Sequence, residues 1–200
     1  MTDVSASASE TAAATGAGGH AGPLRSADPV FPGSGLPPVR RIRAEDAARM
    51  RALRLEMLAD SPLAFLETVA DAAARPHAEY VARVATLAEG FRNAAFVAEA
   101  DGRFVGHVGA QEAPGEPGRT VLFAIYITPA WRGSGLLSTL VEAVAAWSRA
   151  AGRPELRLEV VVGNNRAVRA YERLGFVDSG VRLPHPTIPT LRELQMLRAA

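Results

Sequence analysis

Ile125-Tyr126-Ile127-Thr128-Pro129-Ala130-Trp131-Arg132-Gly133-Ser134-Gly135-Leu136-Leu137 is the stretch on which the reading of this chain turns. An almost wholly apolar run, Val121–Ile127, has the composition of a strand covered on both faces. Pro129 stops it. A helical pattern then starts at Leu136: Leu136, Leu140, Val144 and Trp147 fall on one stripe, with Leu137 and Val141 beside it. Between them, Gly133 and Gly135 let the backbone turn tightly and approach a ligand closely. The first N–H groups of the helix lack intrahelical partners and lie at its positive end, where a pyrophosphate fits and Arg132 adds a charge. From these residues alone a plain strand–turn–helix stays open, since Gly-x-Gly is a common string. A nucleotide P-loop needs Gly-x-x-x-x-Gly-Lys-Ser/Thr, which is missing. A dinucleotide turn needs a third glycine where Ser138 stands.

Outward from this turn the period of the apolar residues changes several times. Residues 1–38 are dominated by Ala, Gly, Ser, Thr and Pro and are expected to form a flexible tail. Val39–Ala44 reads as a short strand. Met50, Leu53 and Met57 mark a helix that ends at Ser61-Pro62. Leu63–Thr86 is a weaker helical region interrupted at Pro76 and closed by Gly90. Ala94–Ala100 and Phe104–Ala110 are strands joined by Asp101-Gly102, a two-residue hairpin signal. Pro114–Gly118 reads as a loop. Past the Leu136–Ala151 helix, with Gly152 at its end, Leu156–Val162 alternates as a strand and Asn164–Leu174 reads as a short helix stopped by Gly175. Phe176–Leu183 and Leu191–Arg198 close the chain as strands. The order is mixed α/β with a largely antiparallel start, and the folded domain is expected to span residues 39–200.

Two strings together resemble the GNAT superfamily of N-acetyltransferases, of bacterial type. The family's cofactor motif is Arg/Gln-x-x-Gly-x-Gly/Ala after an apolar-Tyr-Val-x-Pro lead-in. Tyr126–Pro129 matches the lead-in and Arg132–Gly135 the first four motif positions; Leu137 departs from the final Gly/Ala. The second signature, Asn-x-x-Ala-x-x-x-Tyr-x-x-x-Gly-Phe, is met at Asn164, Ala167, Tyr171, Gly175 and Phe176. The similarity extends from Val39 to Arg198.

The resemblance implies a mixed, mostly antiparallel sheet of about seven strands flanked by about four helices. It implies acetyl-CoA as co-substrate and direct attack by a primary amine of a small molecule or peptide. The cofactor-binding residues it implies are Ile125, Tyr126, Ile127, Arg132, Gly133, Ser134, Gly135, Leu136, Leu137, Ser138, Asn164, Ala167 and Tyr171. Donors from the bulged strand at Ile125–Ile127 would stabilise the acyl oxygen, and Tyr171 would protonate the departing thiolate. Many members carry a glutamate near the position of Ala124, and this chain has none. Glu159 is preferred as general base over His107, Glu112 and Glu67. The missing glutamate and Leu137 motivate one alternative, a non-catalytic acetyl-CoA-binding sensor. A ligand-free scaffold is another.

Composition narrows the rest. A net charge of +1 gives no reason to expect nucleic acid or an anionic membrane as partner. With no cysteine, disulfides, thiolate metal sites and a cysteine nucleophile are excluded. The four histidines show no ligand spacing, so no metal is expected. No apolar run reaches the roughly 18 residues of a membrane helix, and Met1–Glu10 has no Lys or Arg, so the expected compartment is cytoplasmic. A self-complementary edge on the last strands would suit a homodimer.

Overall fold

The computed structural model describes residues 35–200. The expected tail lies outside the described residues as far as residue 34. The four residues after it lead into the sheet: Pro37 is buried, and the Pro38 carbonyl accepts the Glu99 N–H at 3.3 Å.

Seven strands form one sheet: β1 (Val39–Arg41), β2 (Asn93–Ala100), β3 (Arg103–Ala113), β4 (Glu116–Ile127), β5 (Glu155–Val161), β6 (Val177–Pro184) and β7 (Arg192–Ala199), in the order β1-β2-β3-β4-β5-β7-β6. Every pairing is antiparallel except β4 with β5. Among the described residues five α-helices flank it: α1 (Ala47–Asp60), α2 (Val69–Ala74), α3 (His77–Glu89), α4 (Leu136–Ala150) and α5 (Asn165–Arg173). One more helix than expected arises because the weak helical region divides into α2 and α3 at Arg75-Pro76. Pro76 has no N–H to continue the first helix, and Arg75 before it is extended.

Two cores sit on opposite faces of the sheet. On one, Leu136, Leu140, Val141 and Val144 of α4 pack on Phe96, Val108, Leu122, Leu158 and Met196. On the other, Met50, Leu53 and Met57 of α1 meet Tyr80 and Val84 of α3 above Val97, Phe104 and Tyr126. The alternation of side chains along each strand thus serves two cores at once.

The Asp101-Gly102 turn has φ of 51° and 73°, the pair of positive values that a type I′ hairpin demands. The expected loop at Pro114–Gly118 is shorter. Only Pro114-Gly115 turns, and β4 resumes at Glu116, paired with Ala113. A register shift beside Glu112 and Ala113 absorbs the next residues, and Pro117 is tolerated at such an irregularity.

Candidate active site

The parallel pairing of β4 and β5 is brief, running from Arg119↔Glu155 to Leu122↔Leu158. Beyond it the two strands part, so the β5-side edge of β4 from Phe123 to Ile127 is left unpaired by β5. This opening is a cleft between β4 and β5. A bulge lies along it. His107 pairs with Tyr126 and Gly109 with Phe123, so Ala124 and Ile125 both oppose Val108. Ala124 takes φ of 48°, a left-handed conformation uncommon for a residue with a side chain. Past the bulge, Ile125 and Ile127 pack toward α4, and Tyr126 toward α1.

The turn after β4 leads into α4 at one end of this cleft. Gly133 and Gly135 have φ of 81° and 99°. A Cβ on Gly133 would meet nothing within 4 Å, and one on Gly135 only a Leu36 methyl at 3.7 Å. The space before both glycines is open. The N–H groups of Gly133, Gly135 and Leu137 have no hydrogen-bond partner among the described residues. Neighbouring groups are used within the turn: Ser134 Oγ donates to the Trp131 carbonyl at 2.7 Å and accepts the Leu136 N–H at 3.3 Å. Ser138 N–H bonds the Gly135 carbonyl at 2.9 Å. Three free donors at a positive helix end, two of them on glycines with open space before them, suit an anionic group such as a pyrophosphate.

Two features of the turn were not readable from its string. Leu137 turns its side chain onto the α4 core, so its bulk stays out of the space where its N–H is free. Arg132 is engaged within the protein. Its Nε donates to the Ile127 carbonyl at 3.0 Å, its guanidinium pairs with Asp60 at the end of α1, and it lies 5.7 Å over the Tyr126 ring. It anchors the turn to β4 and α1, and its charge is shared with Asp60.

α5 supplies the second signature. Asn164 is its N-cap, the side-chain oxygen accepting the Ala167 N–H at 3.2 Å. Ala167, Val168 and Tyr171 pack on the α4-side core. The Tyr171 ring meets Phe176 edge-on at 6.0 Å between centroids. Its hydroxyl makes no hydrogen bond with another described residue, and burial pushes it up to about 12. It therefore holds its proton throughout the neutral range.

The proton-accepting candidates differ in surroundings. Glu159 is the first β5 residue past the last β4–β5 pair, on the face opposite α4. Burial holds its carboxyl above the usual range, with Glu193 adding to the shift and Arg157, 3.1 Å away, opposing it. Glu67 is occupied by the guanidinium groups of Arg54 and Arg75. Glu112 pairs with Arg92 and with the buried Arg153, each at 3.4 Å. His107 is 3% exposed, and its Nδ1 lies 2.8 Å from the Ala124 carbonyl. Burial, with a smaller contribution from Arg54, pushes the imidazole down to about 4, so it is neutral near pH 7.

The profile of the Acetyltransferase (GNAT) family matches residues 56–176, more than half of the chain. The chain belongs to the GNAT acetyltransferase family. Enzymes of this family are N-acetyltransferases that use acetyl-CoA, which places the protein among the acyltransferases.

Solved structures of the family share its fold. A GNAT acetyltransferase from Streptococcus pneumoniae is 22% identical, with a TM-score of 0.68 over 80% of this chain and 97% of that one. The GNAT domain of S. lividans PAT is 21% identical, with a TM-score of 0.66 over 87% of this chain and 96% of that one. The putative acetyltransferase yncA from Salmonella typhimurium, solved with its cofactor acetyl-CoA, is 20% identical, with a TM-score of 0.61 over 80% and 92%. No curated protein matches the chain by sequence. Among the described residues no cluster of three His, Asp or Glu could hold a metal, and no helix is long and apolar enough to cross a membrane.

Proposed function

We propose that this GNAT protein moves the acetyl group of acetyl-CoA onto a primary amine of a small molecule or peptide by direct attack. The observation that carries the reading is the set of N–H groups on Gly133, Gly135 and Leu137 that have no partner among the described residues, with open space before both glycines, at the end of the strand that parts from β5. A neighbour of the same fold was solved with acetyl-CoA, in keeping with this.

Bound acetyl-CoA supplies an acyl group already activated as a thioester. The turn residues Arg132–Ser138 receive its pyrophosphate through backbone donors. The unpaired edge of β4 offers its backbone to the pantetheine amides, in the manner of an added strand. Asn164 and Ala167 border the same arm from the start of α5. N–H groups of Ile125–Ile127, beyond the bulge, stabilise the negative charge that develops on the acyl oxygen; donors preset for that charge act without reorganisation. The Tyr171 hydroxyl, protonated and without another partner, donates to the departing sulfur. Glu159 accepts the proton of the attacking amine. Its raised affinity for protons makes it a better base than an exposed carboxylate.

The test is acetyl transfer to a panel of amines, with wild type and Tyr171→Phe compared. The variant is expected to lose about 100-fold or more in kcat while binding acetyl-CoA as tightly as wild type. Equal turnover would remove Tyr171 from the acid role. Binding without transfer to any amine would favour a sensor of acetyl-CoA.

A further inference from the structure

His107 is a buried, neutral imidazole on β3, beside the bulge of β4, and no step above uses it. Its one hydrogen bond joins the main chain of the neighbouring strand: Nδ1 lies 2.8 Å from the carbonyl oxygen of Ala124. A carbonyl can only accept, so the proton must sit on Nδ1. Ala124 is the residue at which the ladder between β3 and β4 breaks, two residues opposing Val108 alone. It is also one of two described non-glycine residues at positive φ, and the other lies in the Asp101-Gly102 turn. A hairpin turn enforces such an angle through its own geometry. Within a strand something else must hold it, because a left-handed alanine costs about 1–2 kcal/mol relative to an ordinary conformation. The imidazole bond meets that need by giving the displaced carbonyl a buried donor. The adjacent Phe123 ring lies close over Gly109, where a Cβ would come within 2.4 Å of it.

We propose that His107 is a positioning residue for acetyl transfer. Its Nδ1–H latches the Ala124 carbonyl, holds the bulge of β4 in shape and so fixes the backbone donors of Ile125–Ile127 against the acyl oxygen. The inference rests on the acetyl-transfer reading above. Ala124 is itself too small to brace the bulge, and its backbone is anchored from the next strand. The neutral state of the imidazole suits this work, because a charged ring at 3% exposure would need a second acceptor, and no other described residue accepts from it. Displacing reacting groups by about 1 Å costs on the order of 100-fold in rate, so losing the latch should lower kcat steeply. It should leave the grip on the rest of the cofactor unchanged, since the pyrophosphate donors lie beyond Ile127.

The experiment compares wild type, His107→Leu and His107→Asn with acetyl-CoA carrying a 13C label at the acyl carbonyl. The infrared stretch of that carbonyl reports hydrogen bonding to its oxygen, with no acceptor amine present. Binding of free CoA is measured by calorimetry alongside. In wild type the stretch should move to lower frequency on binding. In His107→Leu the shift should largely vanish while CoA binds as before. His107→Asn, whose amide nitrogen can sit where Nδ1 sits, should restore it. An undiminished shift in a folded His107→Leu protein overturns the inference and leaves the acetyl-transfer reading intact. Failure of wild type to bind acetyl-CoA overturns both. Should the leucine variant fail to fold, 15N spectra of the wild-type ring decide: protonation at Nδ1 is expected, and protonation at Nε2 instead refutes the latch.

Discussion

Acid should destabilise this protein through His107 by an amount the fold fixes. The imidazole is pushed from 6.5 down to about 4 by burial. An unfolded chain takes up the proton near the ordinary value, while the native state refuses it until about pH 4. The sign follows: a depressed native affinity for protons stabilises the fold above the unfolded value, and this contribution is lost as pH falls from about 6.5 toward 4. A difference of this size corresponds to about 3 kcal/mol, a large share of the 5–15 kcal/mol typical of a domain. Urea unfolding of wild type and His107→Asn at about pH 7.5 and about pH 4 isolates it, because the carboxylates that titrate over the same interval are common to both proteins. Wild type should lose about 3 kcal/mol more than the variant between the two conditions. Parallel losses would refute the reasoning, and would mean that the ring is solvated or already charged in the native state.

Three further expectations follow from named contacts. Gly109→Ala places a methyl within 2.4 Å of the Phe123 ring beside the bulge, so a folded variant should lose turnover well before it loses CoA affinity, measured by steady-state kinetics and calorimetry. Glu159→Gln should be more stable than wild type near pH 7, because a carboxyl held above its usual range favours the protonated native state and costs stability as pH rises through that value; thermal unfolding at two pH values checks this, and lower kcat in the same variant would match its role as base. Asp60→Asn removes the charge that pairs with Arg132, so the turn should loosen and acetyl-CoA affinity should change measurably in calorimetry while α4 keeps its helicity by circular dichroism.

Much of the fold was legible because local chemistry and global packing agree. Asp101-Gly102 demanded a hairpin and formed one, since Asp-Gly, like Asn-Gly, readily takes two positive φ angles. The Leu136–Trp147 stripe could only be a helix lying on a sheet, and α4 does so. The turn at Gly133 and Gly135 and the helix that starts at Asn164 were legible because glycine turns and helix caps are properties of short strings. What was not legible depends on distant partners. The bulge was expected only through the family resemblance and has no string of its own: alanine at 124 carries no hint of positive φ, and its carbonyl meets His107 on another strand. The pairing of Arg132 with Asp60 joins residues far apart in the chain. The insertion of β7 between β5 and β6 is likewise a matter of tertiary pairing. Leu137 departed from the motif by identity, and only the fold shows that its side chain packs on the core.

The measurement that tests the account most directly is calorimetric titration of acetyl-CoA into wild type and Gly135→Glu, with unfolding curves of both recorded without ligand. Gly135 sits at φ of 99° with open space before it, so a glutamate there brings a negative side chain to the pyrophosphate donors. Binding to wild type that disappears in a folded Gly135→Glu protein is the result the account predicts. Equal binding by both would put the cofactor elsewhere and contradict it.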